Sequence, residues 1–289
     1  MNAEVRALTD QLKDVGYLAD RGLATASHVA LSLGRPLLLE GEVGVGKTEI
    51  ATALSTVLDR QLTRLQCYEG IDAQQALYEW DYARQMLQIR ALAGDELRAS
   101  DAVASLYGPE FLLERPLLTA VRAGNTSVLL IDEVDRADDE FEAFLLELLS
   151  DFQISIPEIG TVRADSRPLV ILTSNRTREL HDALKRRCLY HWVGYPSAER
   201  ELEIVMTRAP EISAELGRKV VLAVNRLREL DLAKPPGVAE SIDWARTIDV
   251  VGGTDLDAEV AIDTLGAVVK DRDDLDVVQP LLERVVAEP

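Results

Sequence analysis

Eight consecutive residues, Gly41, Glu42, Val43, Gly44, Val45, Gly46, Lys47 and Thr48, carry the spacing G-x-x-x-x-G-K-[ST]. Their types suit a chain of phosphates. Glycines at 41, 44 and 46 let the backbone turn its N–H groups inward around an anion. Lys47 can reach the β and γ phosphates of a nucleotide, and the Thr48 hydroxyl can bind Mg²⁺. A second stretch, VLLIDEVDRADDEF at residues 128–141, is dense in carboxylates. Asp132 and Glu133 follow four apolar residues directly. Burying an unpaired carboxylate costs several kcal/mol, so a metal ion or a basic side chain is expected nearby. A shared nucleotide would supply that charge through Mg²⁺ and Lys47. Asp132 would then hold the ion, directly or through water, and Glu133 would orient and polarise the attacking water. Asp135, Asp138, Asp139 and Glu140 read as surface charge and the acidic first turn of the next helix.

The elements that must position these groups are legible as periodicities. Leu37–Leu39 reads as a short strand after Pro36, and Ile50, Ala53, Leu54 and Val57 share one face of a following helix. The glycine stretch therefore lies between a strand and a helix, as phosphate binding requires. Val128–Ile131 reads as a buried strand. Phe141, Phe144, Leu145, Leu148 and Leu149 line the packing face of the helix after it. FQISI and TVRA flank PEIG, predicting a hairpin at about residues 152–165. PLVILTSN is a further strand ending in Asn175, which suits either a contact with the γ-phosphate or attacking water, or a cap on the next helix. Lys185, Arg186 and Arg187 suit either a helix C-terminus or an arginine finger reaching a neighbouring subunit's phosphate. Trp80 is assigned to core packing. Pro196 and Ser197 mark a boundary, and helical patterns follow at residues 199–207, 212–230, 241–249 and 257–270. The fold class is α/β, with a nucleotide-binding core over residues 1–195 and a small all-helical domain over 196–289.

Bulk properties exclude several classes. A net charge of -19 over 289 residues makes a poor general binder of nucleic acid or of anionic membrane, since both are polyanions. Cys67 and Cys188 stand alone, which predicts reduced thiols. The first twenty residues lack the apolar stretch of a signal peptide. No apolar run is long enough to span a bilayer, and the expected compartment is the cytosol. His28, His181 and His191 show no metal-ligand spacing.

Together LLLEGEVGVGKTE, LQCYEGIDAQQALYEW, LLIDEVDRADDEFEAFLLELLSDFQISIPEIGT and DALKRRCLYHW resemble AAA+ ATPases of the MoxR family. They are most similar to its CoxD-like branch, linked with maturation of molybdenum-containing carbon monoxide dehydrogenase. The resemblance implies an AAA+ P-loop αβα core with a parallel sheet and a hairpin before the sensor strand. It implies an insertion in the second helix at about residues 72–100 and a helical lid after residue 196. It also implies ATP and Mg²⁺, a homo-oligomeric and usually hexameric ring, a partner with a von Willebrand factor A domain, and a client metalloenzyme. On this pattern Asn175 is sensor 1, and Arg187 or Arg186 is the finger, with Arg187 preferred as nearer the next strand. One position departs from the family. The place of the sensor 2 arginine falls on Glu240. Arg246, six residues on, lies about 240° around the helix, so no sensor 2 residue is carried over. The function implied is an ATP-hydrolysing remodeller of a partner metalloenzyme. The alternatives are a nucleotide-gated scaffold with little turnover and, against the acidic charge, a nucleic-acid-directed motor.

Overall fold

The computed structural model describes residues 3–92 and 106–287. The chain forms two compact units, one from residues 1–8, 20–40 and 51–191, the other from 9–19, 41–50 and 192–289.

Nine strands are described: β1 Leu37–Gly41, β2 Gln61–Gln66, β3 Tyr78–Trp80, β4 Leu112–Glu114, β5 Ser127–Asp132, β6 Gln153–Ile156, β7 Gly160–Arg163, β8 Leu169–Ser174 and β9 Leu189–Val193. Five of them form a sheet in the order β2-β5-β8-β1-β9, and β2, β5, β8 and β1 run parallel. Strands covered on both faces must be apolar throughout, and every residue of β5 and β8 is buried. The register sets Gln66 beside Asp132 and Ile131 beside Leu172. The polar residues ending these strands therefore share the carboxyl edge of the sheet, where ligands of open α/β folds bind.

The acidic stretch after β5 leads into the helix Asp139–Asp151. Asp138 caps it by accepting the Phe141 N–H at 2.9 Å. As the periodicity predicts, Phe141, Leu145, Leu148 and Leu149 are buried, and Phe144 packs against the same core. β6 and β7 then form the expected antiparallel hairpin. Trp80 is a core residue, edge-on to Tyr78 and Tyr107 at ring-centroid distances of 5.8 and 5.2 Å. Of the insertion expected at residues 72–100, the helices Ala73–Leu77 and Tyr82–Leu92 and strand β3 are described; residues 93–100 lie outside the described residues. Both cysteines are free and buried, and burial pushes each thiol up to about 12, so neither is reactive near neutrality.

The C-terminal region is helical: Ala198–Arg208, Ala214–Arg228, Val238–Val250, Ala258–Thr264, Arg272–Val278 and Leu282–Val286. Ser197 caps the first of these through the Arg200 N–H. Val205, Val220, Val224, Trp244 and Ile248 build an apolar core. Into it is set a fully buried carboxylate, Glu201. Arg228 grips it with two nitrogens at 2.6 and 2.8 Å, and the Ser241 hydroxyl donates at 2.5 Å. Arg228 also donates to the Pro236 carbonyl at 2.7 Å and stacks on Tyr195. Removing one partner of such a pair strands the other charge. Arg228→Ala is therefore expected to destabilise this region by roughly 3–5 kcal/mol in chemical denaturation. Arg228→Lys is expected to recover only part of the loss, because an ammonium cannot form the fork. Among the described residues no helix is long and apolar enough to cross a membrane.

Candidate functional site

The glycine stretch leaves β1 at Gly41 and enters the helix Glu49–Leu58. Gly44 sits at φ +73°, and a Cβ there would come within 2.9 Å of the Glu240 carboxylate and 3.1 Å of the Gly237 backbone. At Gly41 a Cβ would collide with the Val193 carbonyl oxygen at 1.9 Å. Positions 41 and 44 thus need glycine for space as well as for conformation. Lys47 is buried, and its ammonium donates to the carbonyls of Gly41 and Glu42 at 2.8 and 2.5 Å. Those bonds fold the lysine over its own loop. Glu42 and Val43 are exposed, while Val45, Gly46 and Thr48 are half-buried. The Tyr17 hydroxyl meets the Gly46 carbonyl at 3.4 Å.

The start of the helix Val238–Val250 touches this loop. The Val238 and Ala239 N–H groups donate to the Gly44 carbonyl at 3.0 and 3.1 Å. Glu240 turns back to accept the Gly237 N–H at 2.9 Å, so it caps its own helix. Arg246 is exposed and pairs with Glu211 at 3.1 Å. The departure at Glu240 is therefore a carboxylate in a capping role, with Arg246 engaged elsewhere.

The carboxylates stand at the ends of β5 and β8. Asp132 is 2% exposed. Its Oδ1 accepts the Thr173 hydroxyl at 2.5 Å, and its Oδ2 accepts Nε and Nη2 of Arg64 at 3.1 and 2.5 Å. Glu133 has φ +52°, and its N–H donates to the same Thr173 hydroxyl at 2.9 Å. Its carboxylate accepts from Gln66 at 3.0 Å, Arg136 at 3.0 Å and the Asn175 amide at 3.3 Å. The basic side chains beside these carboxylates are Arg64 and Arg136, where the sequence had pointed to Lys47 and Mg²⁺. Arg136 is more than half exposed and Glu133 about a third, so that pair is weak, whereas Arg64 reaches from an exposed position to the buried Asp132. The collective negative charge is felt at Cys67: after burial, Asp132, Asp135 and Glu133 are what raise its thiol.

One expectation is overturned. Asp135 is not surface charge; it is 2% exposed. Its Oδ1 accepts the Asn175 N–H at 3.2 Å, and its Oδ2 accepts the N–H and hydroxyl of Thr177, each at 2.8 Å. Its flanks Val134 and Ala137 are buried, which draws the turn inward, and the backbone after β8 satisfies the carboxylate. Asp138, Asp139 and Glu140 are exposed as expected; Asp139 and Glu140 lie in the first turn of the helix, and Asp138 is its cap. Arg64 and Gln66 were also missed: they lie on β2, the neighbour of β5 in the sheet but remote in the chain, and reach the carboxylates only through the β2–β5 register.

Asn175 does not cap the next helix, which begins at Asp182 behind His181 with no side-chain cap. Arg186 and Arg187 end the short helix Asp182–Arg187 and are exposed. The carbonyls there are served by another residue: Arg35 donates to Arg186, Arg187 and Cys188 at 2.9, 3.3 and 3.1 Å. Arg187 itself contacts the Ser150 hydroxyl. Among the described residues no cluster of three His, Cys, Asp or Glu could hold a metal alone.

Residues 36–188, over half of the chain, match the family model of the AAA domain, dynein-related subfamily. The chain belongs to that family. Membership in this MoxR-like subfamily brings nucleotide binding with it. Curated relatives are distant. A gas vesicle ATPase, GvpN, of Haloferax mediterranei is 24% identical over 268 residues, covering 89% of this chain and 75% of that protein. A second, GvpN2 of Halobacterium salinarum, is 26% identical over 271 residues, with 89% and 76% covered. The uncharacterised YehL of Escherichia coli K12 is 29% identical over 203 residues, covering 65% of this chain and 50% of its own length. Among solved structures, a variant of RuvB from Thermotoga maritima aligns with a TM-score of 0.52 at 16% identity, covering 93% of this AAA protein and 77% of RuvB. That likeness concerns the AAA+ fold alone.

Proposed function

We propose that this AAA protein hydrolyses ATP and spends the energy on remodelling a partner protein. The observation that carries the reading is the meeting of Asn175 and Glu133 beside a buried Asp132, at the ends of parallel strands. The glycine loop, Gly41 to Thr48, holds the phosphates through its amides, and Lys47 exchanges its carbonyl partners for the β and γ phosphates. Asp132 and the Thr48 hydroxyl are hard oxygen donors and would hold Mg²⁺. Bound there, Mg²⁺ supplies charge neutralisation at the phosphates. Glu133 accepts a proton from the attacking water, and Asn175 orients that carboxylate. Arg187, or Arg186, acts on the nucleotide of a neighbouring subunit in a homo-oligomeric ring, a hexamer on the family pattern.

The resemblance of the stretches at residues 65–80 and 182–192 to the CoxD-like branch supports a client metalloenzyme, of the carbon monoxide dehydrogenase kind. It also supports a partner with a von Willebrand factor A domain. The two gas vesicle ATPases, each spanning 89% of this chain, favour a second reading in which the work is done on a large protein assembly. A pull-down of the Glu133→Gln protein from its native cell separates the two by the class of protein retained. The nucleotide reading is tested with Lys47→Ala. Loss of the ammonium removes the charge facing two phosphates, so ATP binding should weaken at least tenfold and phosphate release should cease. A Lys47→Ala protein that turns over ATP at the native rate would refute the assignment.

A further inference from the structure

Asp135 is a buried carboxylate that the reading above leaves without a task. Within its unit it is 2% exposed and sits in the turn Val134–Arg136, just after Glu133. Its two oxygens accept three hydrogen bonds, all from the segment that follows β8: the Asn175 N–H, the Thr177 N–H and the Thr177 hydroxyl. Bonds to an ionised acceptor are about twice as strong as neutral ones. The segment they hold has an uncommon shape. Arg176, between the two anchored residues, lies in the left-handed region at φ +56°. A non-glycine residue is disfavoured there, because its Cβ crowds the following carbonyl oxygen, so the conformation needs support from its surroundings. The Ser174 hydroxyl accepts the Arg176 N–H at 3.1 Å and adds to that support. The result of this shape is the direction of the Asn175 side chain, whose amide meets Glu133 Oε1 at 3.3 Å. None of the three bonds to Asp135 involves the Asn175 amide or the Glu133 carboxylate. Its grip is on the backbone that aims one at the other.

We infer that Asp135 is a positioning residue for hydrolysis, which fixes the turn 174–177 so that Asn175 presents its amide to Glu133. This rests on the role proposed for Asn175. It makes a specific demand: removing Asp135 should harm catalysis only through Asn175. A misplacement of about 1 Å at a catalytic group can cost roughly 10²-fold in rate. Asp135→Ala is therefore expected to lower kcat roughly 10- to 100-fold, with ATP affinity of the same protein within about threefold of native.

The deciding experiment is a double-mutant cycle in the full-length chain, with kcat, ATP affinity and Tm measured for Asp135→Ala, Asn175→Ala and the pair. If Asp135 works through Asn175, the pair should be little slower than Asn175→Ala alone, within a factor of about 2–3. Multiplication of the two losses, or a kcat unaffected by Asp135→Ala, would overturn the inference. A loss of ATP affinity and Tm with kcat preserved would assign Asp135 a structural role and overturn it equally. Should Asp135→Ala not fold, Asp135→Asn and Thr177→Val take its place in the same cycle. Asparagine keeps the shape but sets a donor against one of the N–H groups, and valine removes the hydroxyl while keeping the volume. Each is expected to lower kcat less than the alanine would, with the loss again absorbed in the Asn175→Ala background. Failure of the parent reading looks different. If Asn175→Ala turns over at the native rate, the role of Asn175 falls and this inference with it. If Asn175→Ala is slow while every Asp135 and Thr177 variant is fast, only the inference falls.

Discussion

Glu133→Gln is expected to bind ATP with near-native affinity and to lose nearly all turnover. The substitution keeps the size of the side chain and removes its charge. In the structure the Glu133 carboxylate accepts from Gln66, Arg136 and Asn175, none of which is a residue of the glycine loop that is proposed to hold the phosphates. Affinity should therefore survive. Proton acceptance should not: an amide is no base, and loss of a general base costs roughly 10²- to 10⁴-fold. The Gln side chain also offers an amide to at least one group that is itself a donor, which disturbs the aim of Asn175 and pushes the loss toward the upper end. Asp132→Asn should behave differently. Asp132 is proposed as an Mg²⁺ ligand, so its variant should need more Mg²⁺ for half-maximal activity and bind MgATP more weakly. Titrating fluorescent ATP against both variants, with and without Mg²⁺, and measuring phosphate release gives the comparison. Equal loss of affinity in the two proteins would contradict the division of labour between neighbouring carboxylates.

What the sequence revealed and what it hid follow from the range of the interactions. The glycine loop was legible because one short stretch contains all its chemistry: glycines for backbone shape, a lysine and a hydroxyl at fixed offsets. Asp132 and Glu133 were legible because four apolar residues precede them and the loop supplied a reason for them. Arg64, Gln66 and Asp135 were not. Arg64 and Gln66 act across a register of parallel strands more than sixty residues apart, which no local pattern encodes. Asp135 looks like its exposed neighbours Asp138 and Asp139, and only the burial of Val134 and Ala137 separates it from them. The helices of the C-terminal region were read correctly where they are long and amphipathic. Arg272–Val278 and Leu282–Val286 are short and flank Pro280, so neither carries enough turns to show a period. Arg35 was hidden for another reason: serving backbone carbonyls leaves no signature in side-chain spacing.

The proposed ring makes its own demand on Arg187, and the structure sharpens it. A basic residue at a helix end is ordinarily explained by the carbonyls it faces, an effect of roughly 0.3 to 1 kcal/mol on stability and none on catalysis. Here Arg35 already serves the carbonyls of residues 186 to 188, and Arg186 and Arg187 are exposed at the end of a six-residue helix. The ordinary explanation is thereby weakened for both. An arginine finger is worth roughly 10³ to 10⁵ in rate, so the two accounts differ by a margin that an activity assay resolves easily. Arg187→Ala is expected to fold, to bind ATP and to show almost no hydrolysis. Native activity should rise more steeply than linearly with protein concentration, because the finger comes from a neighbouring subunit. Mixing Arg187→Ala with Glu133→Gln strengthens the test. In some mixed rings an intact Glu133 faces an intact Arg187 from the adjacent chain, and partial activity should return although each variant alone is inactive. Arg186→Ala, carried through the same mixture, decides between the two arginines. A protein that stays monomeric with ATP present and keeps full activity as Arg187→Ala and as Arg186→Ala would remove the finger from the mechanism.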